Sequence, residues 1–162
     1  RVLDYRADVG VLAQFSRDRR FVAVKESSDD IRRCTEILTR LGDRYAVFTG
    51  VDNLAFEALC AGAQGWVAGL VVAFPAETVA VYRLVKAGRL AEALAIYRWF
   101  RPLLDLDVST YLVQNIKLAE ALAIQSTEGV RAPRLPLTGE RRAQVEGVVR
   151  QALATRPPLP AL

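Results

Sequence analysis

The sequence contains no histidine and no methionine, and each absence limits what the chain can do. Without histidine, Ser-His-Asp and Cys-His catalysis and histidine-ligated metal sites are excluded. Without methionine, Arg1 is not a translation start, so we expect a longer chain or a removed segment before it. Cys34 and Cys60 lie far apart and outside any Cys-x-x-Cys motif, which argues against disulfides and zinc. We expect both to pack in helices as small apolar groups.

The chain also lacks a long apolar run. The longest, residues 66–74, covers about nine residues, whereas a membrane-spanning helix needs about twenty. No secretory signal is recognisable at the start, so the cytoplasm is the expected location. The net charge of +4 comes from arginines and a few lysines scattered beside acidic residues, whereas nucleic-acid-binding proteins gather basic charge on one face. We therefore expect neither a membrane nor a nucleic acid as partner.

The hydrophobic pattern of the first half predicts a short helix over 8–17 followed by three βα units. Apolar runs rich in β-branched residues predict buried strands at 21–24, 45–48 and 65–69, the first buried on both faces. Helices are predicted over 31–41 and 54–61; their candidate caps are Ser27, Ser28 and Asp29 at the start of the first, and Gly42 and Gly62 at the ends. Such units are typical of parallel sheets. A closed barrel needs eight strands, so further strands are expected outside the chain.

The second half is predicted to be helical. The expected helices cover 76–87, 90–100 (ending before Pro102), 108–124 and 139–154. Because proline restricts both itself and its predecessor, residues 131–136 are predicted to be an extended linker, and the proline-rich tail over 156–162 is predicted to be frayed. The predicted division is a partial barrel over 1–74, then a final barrel helix and a C-terminal helical region over 75–162.

Lys25 is the main candidate for chemistry. The chain has three lysines, and Lys25 is the one that follows an apolar strand, whereas Lys86 and Lys117 lie in helical patterns. Reacting groups of parallel α/β folds gather at the C-terminal ends of strands. Loss of hydration there disfavours the charged form of an amine, and a neutral amine attacks a ketone. The alternative from the residues alone is that the strand simply ends and Lys25 points into water.

Several motifs resemble, in order, the C-terminal part of the dihydrodipicolinate synthase / N-acetylneuraminate lyase family. Residues 22–30 (VAVKESSDD) are similar to its strand-six signature, in which an apolar strand runs into Lys-Glu-Ser/Ala-Ser/Thr-Gly-Asp. Residues 48–52 (FTGVD) resemble the strand-seven element Ser/Thr-Gly-x-Asp, and residues 61–69 (AGAQGWVAG) resemble strand eight. Further similar segments are Phe74-Pro75, 112–117 and 130–136. The resemblance covers nearly the whole chain.

The resemblance implies the C-terminal portion of a TIM (β/α)8 barrel, strands six to eight, followed by an all-helical appendage. It implies that Lys25 forms a Schiff base with pyruvate or a related 2-oxo acid. It also implies that Gly50 and Val67 lie against that substrate, although Gly50 could equally be a turn glycine and Val67 barrel core. Asp52 is expected to cap the following helix. No metal or organic cofactor is implied, and the family commonly forms tetramers or dimers.

The chain departs from the family in ways that leave alternatives open. The Gly-Thr/Ser-Thr-Gly-Glu loop that holds the substrate carboxylate and the Tyr-x-x-Pro motif that relays protons do not occur in the sequence, and the missing N-terminal barrel half would carry them. Val72 stands where many members carry Asn, and Ala68 where many carry Ser. The expected activity is a class I aldolase-type lyase or synthase, dihydrodipicolinate synthase-like. The alternatives are a hydroxy-pyrroline-carboxylate deaminase that uses the same lysine, or a non-catalytic partial barrel.

Overall fold

The computed structural model of the chain describes residues 9–67 and 69–161. The chain divides into two compact units, Arg1–Ala68 and Gly69–Leu162. The functional division into a partial barrel over 1–74 and a helical region over 75–162 stays a prediction. Among the described residues, no helix combines the length and the apolar character needed to cross a membrane.

The first unit alternates helices with three short parallel strands. Its elements are α1 (Val9–Phe15), β1 (Ala23–Glu26), α2 (Arg32–Leu41), β2 (Ala46–Thr49), α3 (Ala55–Cys60) and β3 (Gly65–Trp66). The strands form one sheet in the order β1-β2-β3, with Lys25 opposite Phe48 and Phe48 opposite Gly65. The predicted α/β class with parallel strands is confirmed. Each strand lies within a few residues of its predicted position.

The sheet is covered on one face, and this corrects the prediction for β1. Side chains of successive strand residues point to opposite faces. Val24 and Glu26 are at least partly buried, whereas Ala23 and Lys25 on the other face are exposed. The buried core of the unit lies behind the sheet and contains Val9, Cys34, Ile37, Val47, Ala58 and Ala63. The prediction that β1 is buried on both faces was therefore wrong, because the described helices of this unit pack on one face of the sheet.

The two ends of α2 differ in how well the sequence predicted them. Gly42 ends the helix with a φ of 58°, and its N–H donates to the Leu38 carbonyl, so the predicted glycine cap is confirmed. The predicted polar cap at the start was wrong. The N-cap residue is Ile31, which makes no side-chain cap hydrogen bond, and the helix begins at Arg32.

The second unit is helical, as predicted. Its long helices are α4 (Pro75–Lys86), α5 (Leu90–Leu104), α6 (Leu112–Ile124) and α7 (Gly139–Ala154). The predicted stop before Pro102 was wrong, since α5 continues through the proline to Leu104. Leu103 and Leu104 are completely buried. Their burial offsets the hydrogen bond that an internal proline removes.

The tail after α7 is attached to the unit rather than frayed. The Arg156 guanidinium donates to both carboxylate oxygens of Glu77, which is 1% exposed. Arg89 donates to the Ala161 carbonyl at 2.8 Å. A buried carboxylate needs a paired cation, and Arg156 supplies it from the start of the tail. The expectation of a frayed tail was therefore wrong.

Candidate active site

The three predicted site residues lie at the C-terminal edge of the sheet. Lys25 is the third of the four residues of β1, Gly50 follows β2, and Val67 follows β3. The Gly50 N–H donates to the Glu26 carbonyl at 2.8 Å, and the Val67 N–H donates to the Thr49 carbonyl at 2.9 Å. These bonds extend the parallel ladder past the strand ends. The structure therefore brings residues far apart in sequence to neighbouring positions on one edge.

Lys25 and Gly50 are in direct contact. A Cβ atom built on Gly50 would lie 2.4 Å from Cε and 2.9 Å from Cγ of Lys25. No larger residue fits there without moving the lysine, because real Cβ contacts are longer. The side chain that Gly50 lacks leaves the space in which the Lys25 side chain lies.

The Lys25 side chain is exposed, and Val67 is 51% exposed. The expectation that the lysine is embedded away from water is therefore not met by the first unit alone. Lys25, Gly50 and Val67 share one face of the sheet, since paired residues of parallel strands point the same way. Among its described residues, the first unit has no helix packed on this face. The three strands lie on one side of the amine and do not surround it.

The opposite face holds the backbone after β1 in place. The buried Glu26 carboxylate accepts a hydrogen bond from the Ser28 N–H at 3.1 Å and pairs with Arg33 Nε at 3.2 Å. Behind this pair, burial and the nearby Glu26 charge raise the pKa of Cys34 to about 11, so its thiol stays neutral at pH 7. Cys34 packs as the small apolar group predicted, whereas the same expectation for Cys60 was wrong because Cys60 is exposed.

Asp52 connects β2 to β3. Its side chain is fully buried, and its carboxylate accepts a hydrogen bond from the Trp66 indole N–H at 3.0 Å. Asp52 is the first residue of a short 3-10 helix whose N-cap is Val51, and Leu54 is the N-cap of α3. The predicted role as an N-cap was therefore wrong. The carboxylate instead links the two strand ends that carry Gly50 and Val67.

A model of the dihydrodipicolinate synthetase family matches residues 8–152, most of the sequence. The chain belongs to this family. A 4-hydroxy-tetrahydrodipicolinate synthase of Sorangium cellulosum is 34% identical over 138 residues, which are 83% of this chain and 45% of that protein.

Solved structures of the family have the same fold over about half their length. The dihydrodipicolinate synthase of Bacillus anthracis superposes with a TM-score of 0.80 and 26% identity, covering 88% of this chain and 49% of that one. The 4-hydroxy-tetrahydrodipicolinate synthase of Methylacidiphilum fumariolicum has a TM-score of 0.78 and 25% identity, covering 91% and 51%. The chain thus spans about half the length of the family members it matches.

Sequence reasoning missed two neighbours of the lysine. The Ser27 hydroxyl oxygen lies 2.0 Å from the point that a Cβ atom on Gly50 would occupy, beside the lysine side chain. The sequence analysis considered Ser27 only as a helix cap. The Phe48 ring lies 2.5 Å from the Cβ position of Gly65, level with Lys25 in the sheet. The two-residue alternation of a strand was the available signal, because it puts Ser27 on the face of Lys25.

No metal site accompanies these residues in the described part of the chain. Across residues 9–67 and 69–161 there is no group of three or more Cys, Asp or Glu side chains that could hold a metal ion.

Proposed function

We propose that the protein to which this chain belongs is an aldolase-type lyase or synthase that forms a Schiff base between Lys25 and pyruvate or a related 2-oxo acid. The observation that carries the proposal is the contact of the Lys25 side chain with Gly50 at the C-terminal edge of parallel strands. Family membership and the 34% identical 4-hydroxy-tetrahydrodipicolinate synthase support the reaction class.

The reaction begins with the lysine nitrogen. Its neutral form donates a lone pair to the keto carbon, the carbonyl π electrons move to oxygen, and a carbinolamine forms. Loss of water leaves an iminium ion, which draws electrons from the adjacent carbon. Loss of a proton from that carbon gives an enamine, whose carbon then adds to a second carbonyl compound. In this proposal Gly50 leaves the space in which the Lys25 side chain lies, and Val67 provides an apolar side chain on the same face for contact with the keto acid.

The same proposal assigns the sheet its place in a larger fold. We assign β1, β2 and β3 to strands six, seven and eight of a (β/α)8 barrel, and the second unit to the final barrel helix and the C-terminal appendage. The half-length coverage of the solved structures supports this assignment. An N-terminal barrel half would enclose Lys25 and supply the loop for the substrate carboxylate. Self-association into dimers or tetramers is part of the proposal.

Covalent trapping tests the function. The chain, alone and with the N-terminal barrel half of a relative added, is incubated with pyruvate and sodium borohydride. Peptide mass spectrometry then locates any reduced adduct. We expect an adduct on Lys25, in higher yield when the barrel half is present. Absence of the adduct under both conditions would favour the non-catalytic partial barrel and overturn the proposal.

The matched variants are Lys25→Arg and Lys86→Arg. Arginine keeps the charge of Lys25 but has no neutral amine at accessible pH, so the adduct should disappear while the circular dichroism spectrum is retained. Lys86 lies on α4 in the second unit, where its ammonium group rests 5.8 Å from the Tyr82 ring centre. Lys86→Arg should leave the yield of adduct unchanged. A trapped adduct in Lys25→Arg would show that an amine other than Lys25 forms the Schiff base.

A further inference from the structure

A cleft in the second unit lies between the start of α6, residues 133–138 and the start of α7. Its volume is about 410 Å³, the size of a cavity that holds a small organic molecule. Pro133 and Pro136 have fixed φ angles and no backbone N–H, so the segment on this side of the cleft has few conformations available. The buried Leu137 attaches the same segment to the unit. One wall of the cleft is therefore restricted before any ligand binds.

Two arginines line this cleft, and no acidic side chain lines it with them. Arg134 precedes α7, and Arg141 lies in its first turn. Among the described residues, neither guanidinium group makes a hydrogen bond or an ion pair. The next residue, Arg142, differs in this respect, because it pairs with Glu128 and Glu146. The cleft thus carries two positive charges that no neighbouring carboxylate compensates, and an anion bound there would be attracted by both.

The Tyr111 ring fixes the position of one of these charges. The guanidinium carbon of Arg141 lies over the ring, 4.0 Å from its centre, which is a cation–π contact. A guanidinium that contacts a ring through its face keeps its N–H groups at its edge, where they can donate. Such planar N–H groups fit the oxygens of a phosphate or a carboxylate. Arg141 is therefore held in place and still able to bind an oxyanion.

The remaining lining residues add neutral donors and apolar surface. Thr138 is the N-cap residue of α7 but makes no side-chain cap hydrogen bond, so its hydroxyl is available to a ligand. Gln114 contributes an amide from α6. Leu135 lies between the two prolines and is 77% exposed, a high value for a large apolar side chain. Apolar walls with a few polar groups are typical of sites that bind organic molecules.

We propose that this cleft binds a phosphate monoester that carries an apolar organic group. The phosphate lies between Arg134 and Arg141, and the organic group lies against Leu135 and the prolines. A phosphate monoester has a charge of about −1.5 to −2 at pH 7 and three acceptor oxygens. Two guanidinium groups match it in charge, whereas a single carboxylate would leave one of them uncompensated. The inference concerns the second unit and does not depend on the chemistry of Lys25.

Calorimetric titration of the chain with phenyl phosphate tests the ligand class. Inorganic phosphate, benzoate and phenol are titrated in parallel at about pH 7.5, above the second pKa of a phosphate monoester. We expect phenyl phosphate to bind most tightly, because inorganic phosphate lacks the apolar group, benzoate lacks the second charge and phenol is neutral. Benzoate that binds as tightly as phenyl phosphate would overturn the assignment to phosphate. Inorganic phosphate that binds as tightly would overturn the contribution of the apolar wall.

Three substitutions test the location. Arg134→Gln and Arg141→Gln each remove one guanidinium group from an exposed position, so each should weaken phenyl phosphate binding about tenfold or more while the circular dichroism spectrum is retained. The control is Arg150→Gln, because Arg150 is an exposed arginine of α7 that does not line the cleft. It should bind as the unsubstituted chain does.

Two results would refute the site. Unchanged affinity in both Arg134→Gln and Arg141→Gln would show that the ligand binds elsewhere. An equal loss of affinity in Arg150→Gln would show a general attraction of the anion to a positively charged chain. A loss confined to the two cleft variants is the result that supports the proposal.

Discussion

At the scale of single residues, the candidate site depends on the space that the missing side chain of Gly50 leaves. Gly50 has a backbone conformation that other residues adopt, so its requirement for glycine is steric rather than conformational. The space it leaves is occupied by Lys25 and Ser27. Gly65 has the same role for the Phe48 ring one strand further along. Gly50 and Gly65 thus leave the space that side chains from the neighbouring strand occupy.

We expect Gly50→Ala to slow adduct formation by about tenfold or more, since a displacement of a reacting group by about 1 Å has a large effect on rate. Timed borohydride trapping measures this effect. The control is Gly147→Ala in α7, where a Cβ meets nothing within 4 Å. That change should raise the free energy of unfolding by about 0.5–1 kcal/mol through helix propensity and leave adduct formation unaltered. Unchanged trapping kinetics in Gly50→Ala would show that the lysine relocates without loss.

At the scale of elements, a few polar contacts between distant residues hold strand and helix ends together. Asp52 and Trp66 connect the ends of β2 and β3 inside the first unit. Arg156 and Glu77 attach the tail to the first turn of α4 inside the second. Each pairs a buried carboxylate with a donor far along the chain. Such contacts specify where an element ends, because a buried carboxylate without a partner is costly.

Trp66→Phe should destabilise the chain by about 1.5–3 kcal/mol, the range for a hydrogen bond to a charged group. The ring is kept, so the loss reports the indole N–H that Asp52 accepts. Urea unfolding followed by circular dichroism measures it. Trp99→Phe is the matched control, since the Trp99 indole donates to neutral oxygens of Ala152 and Thr155 at longer distances. A loss from Trp66→Phe no larger than that from Trp99→Phe would contradict a special contribution from Asp52.

At the scale of the whole molecule, the chain spans about half the length of the relatives it matches, and the described helices of the first unit cover one face of its sheet. Apolar side chains next to the strands remain exposed, with Val22 at 66%, Val67 at 51% and Phe21 at 47%. The strand order puts β1 and β3 at the edges of the sheet. Unpaired edges and exposed apolar side chains are the features that a closed barrel removes.

The proposed barrel therefore predicts a change in surface hydrophobicity. The fluorescence of the dye 1-anilinonaphthalene-8-sulfonate should be high with the chain alone and fall when the N-terminal barrel half of a relative is added, because the dye loses its apolar surface. A Val22→Lys variant should bind less dye and associate more weakly with the added half. Dye fluorescence that does not fall on association would contradict coverage of this face.

The sequence by itself determined the local features of the chain. The order of strands and helices, the glycine at the end of α2 and the bounds of α7 follow from hydrophobic periodicity and from backbone preferences of a few adjacent residues. The motifs around Lys25 and Gly50 were recognisable for the same reason, since each is contiguous. The parallel sheet was predicted from the apolar runs and their spacing, although β1 itself extends beyond its run to Lys25 and Glu26.

Only the tertiary structure decided which distant groups meet. Lys25 and Ser27 lie against Gly50, which follows the neighbouring strand. The Trp66 indole donates to Asp52, and Arg156 pairs with Glu77. Each contact joins residues from separate elements. The exposure of Lys25 and the continuation of α5 through Pro102 depend likewise on what packs against each element. Local preferences amount to tenths of a kcal/mol to a few kcal/mol per residue, so burial and pairing across the fold override them wherever the two conflict.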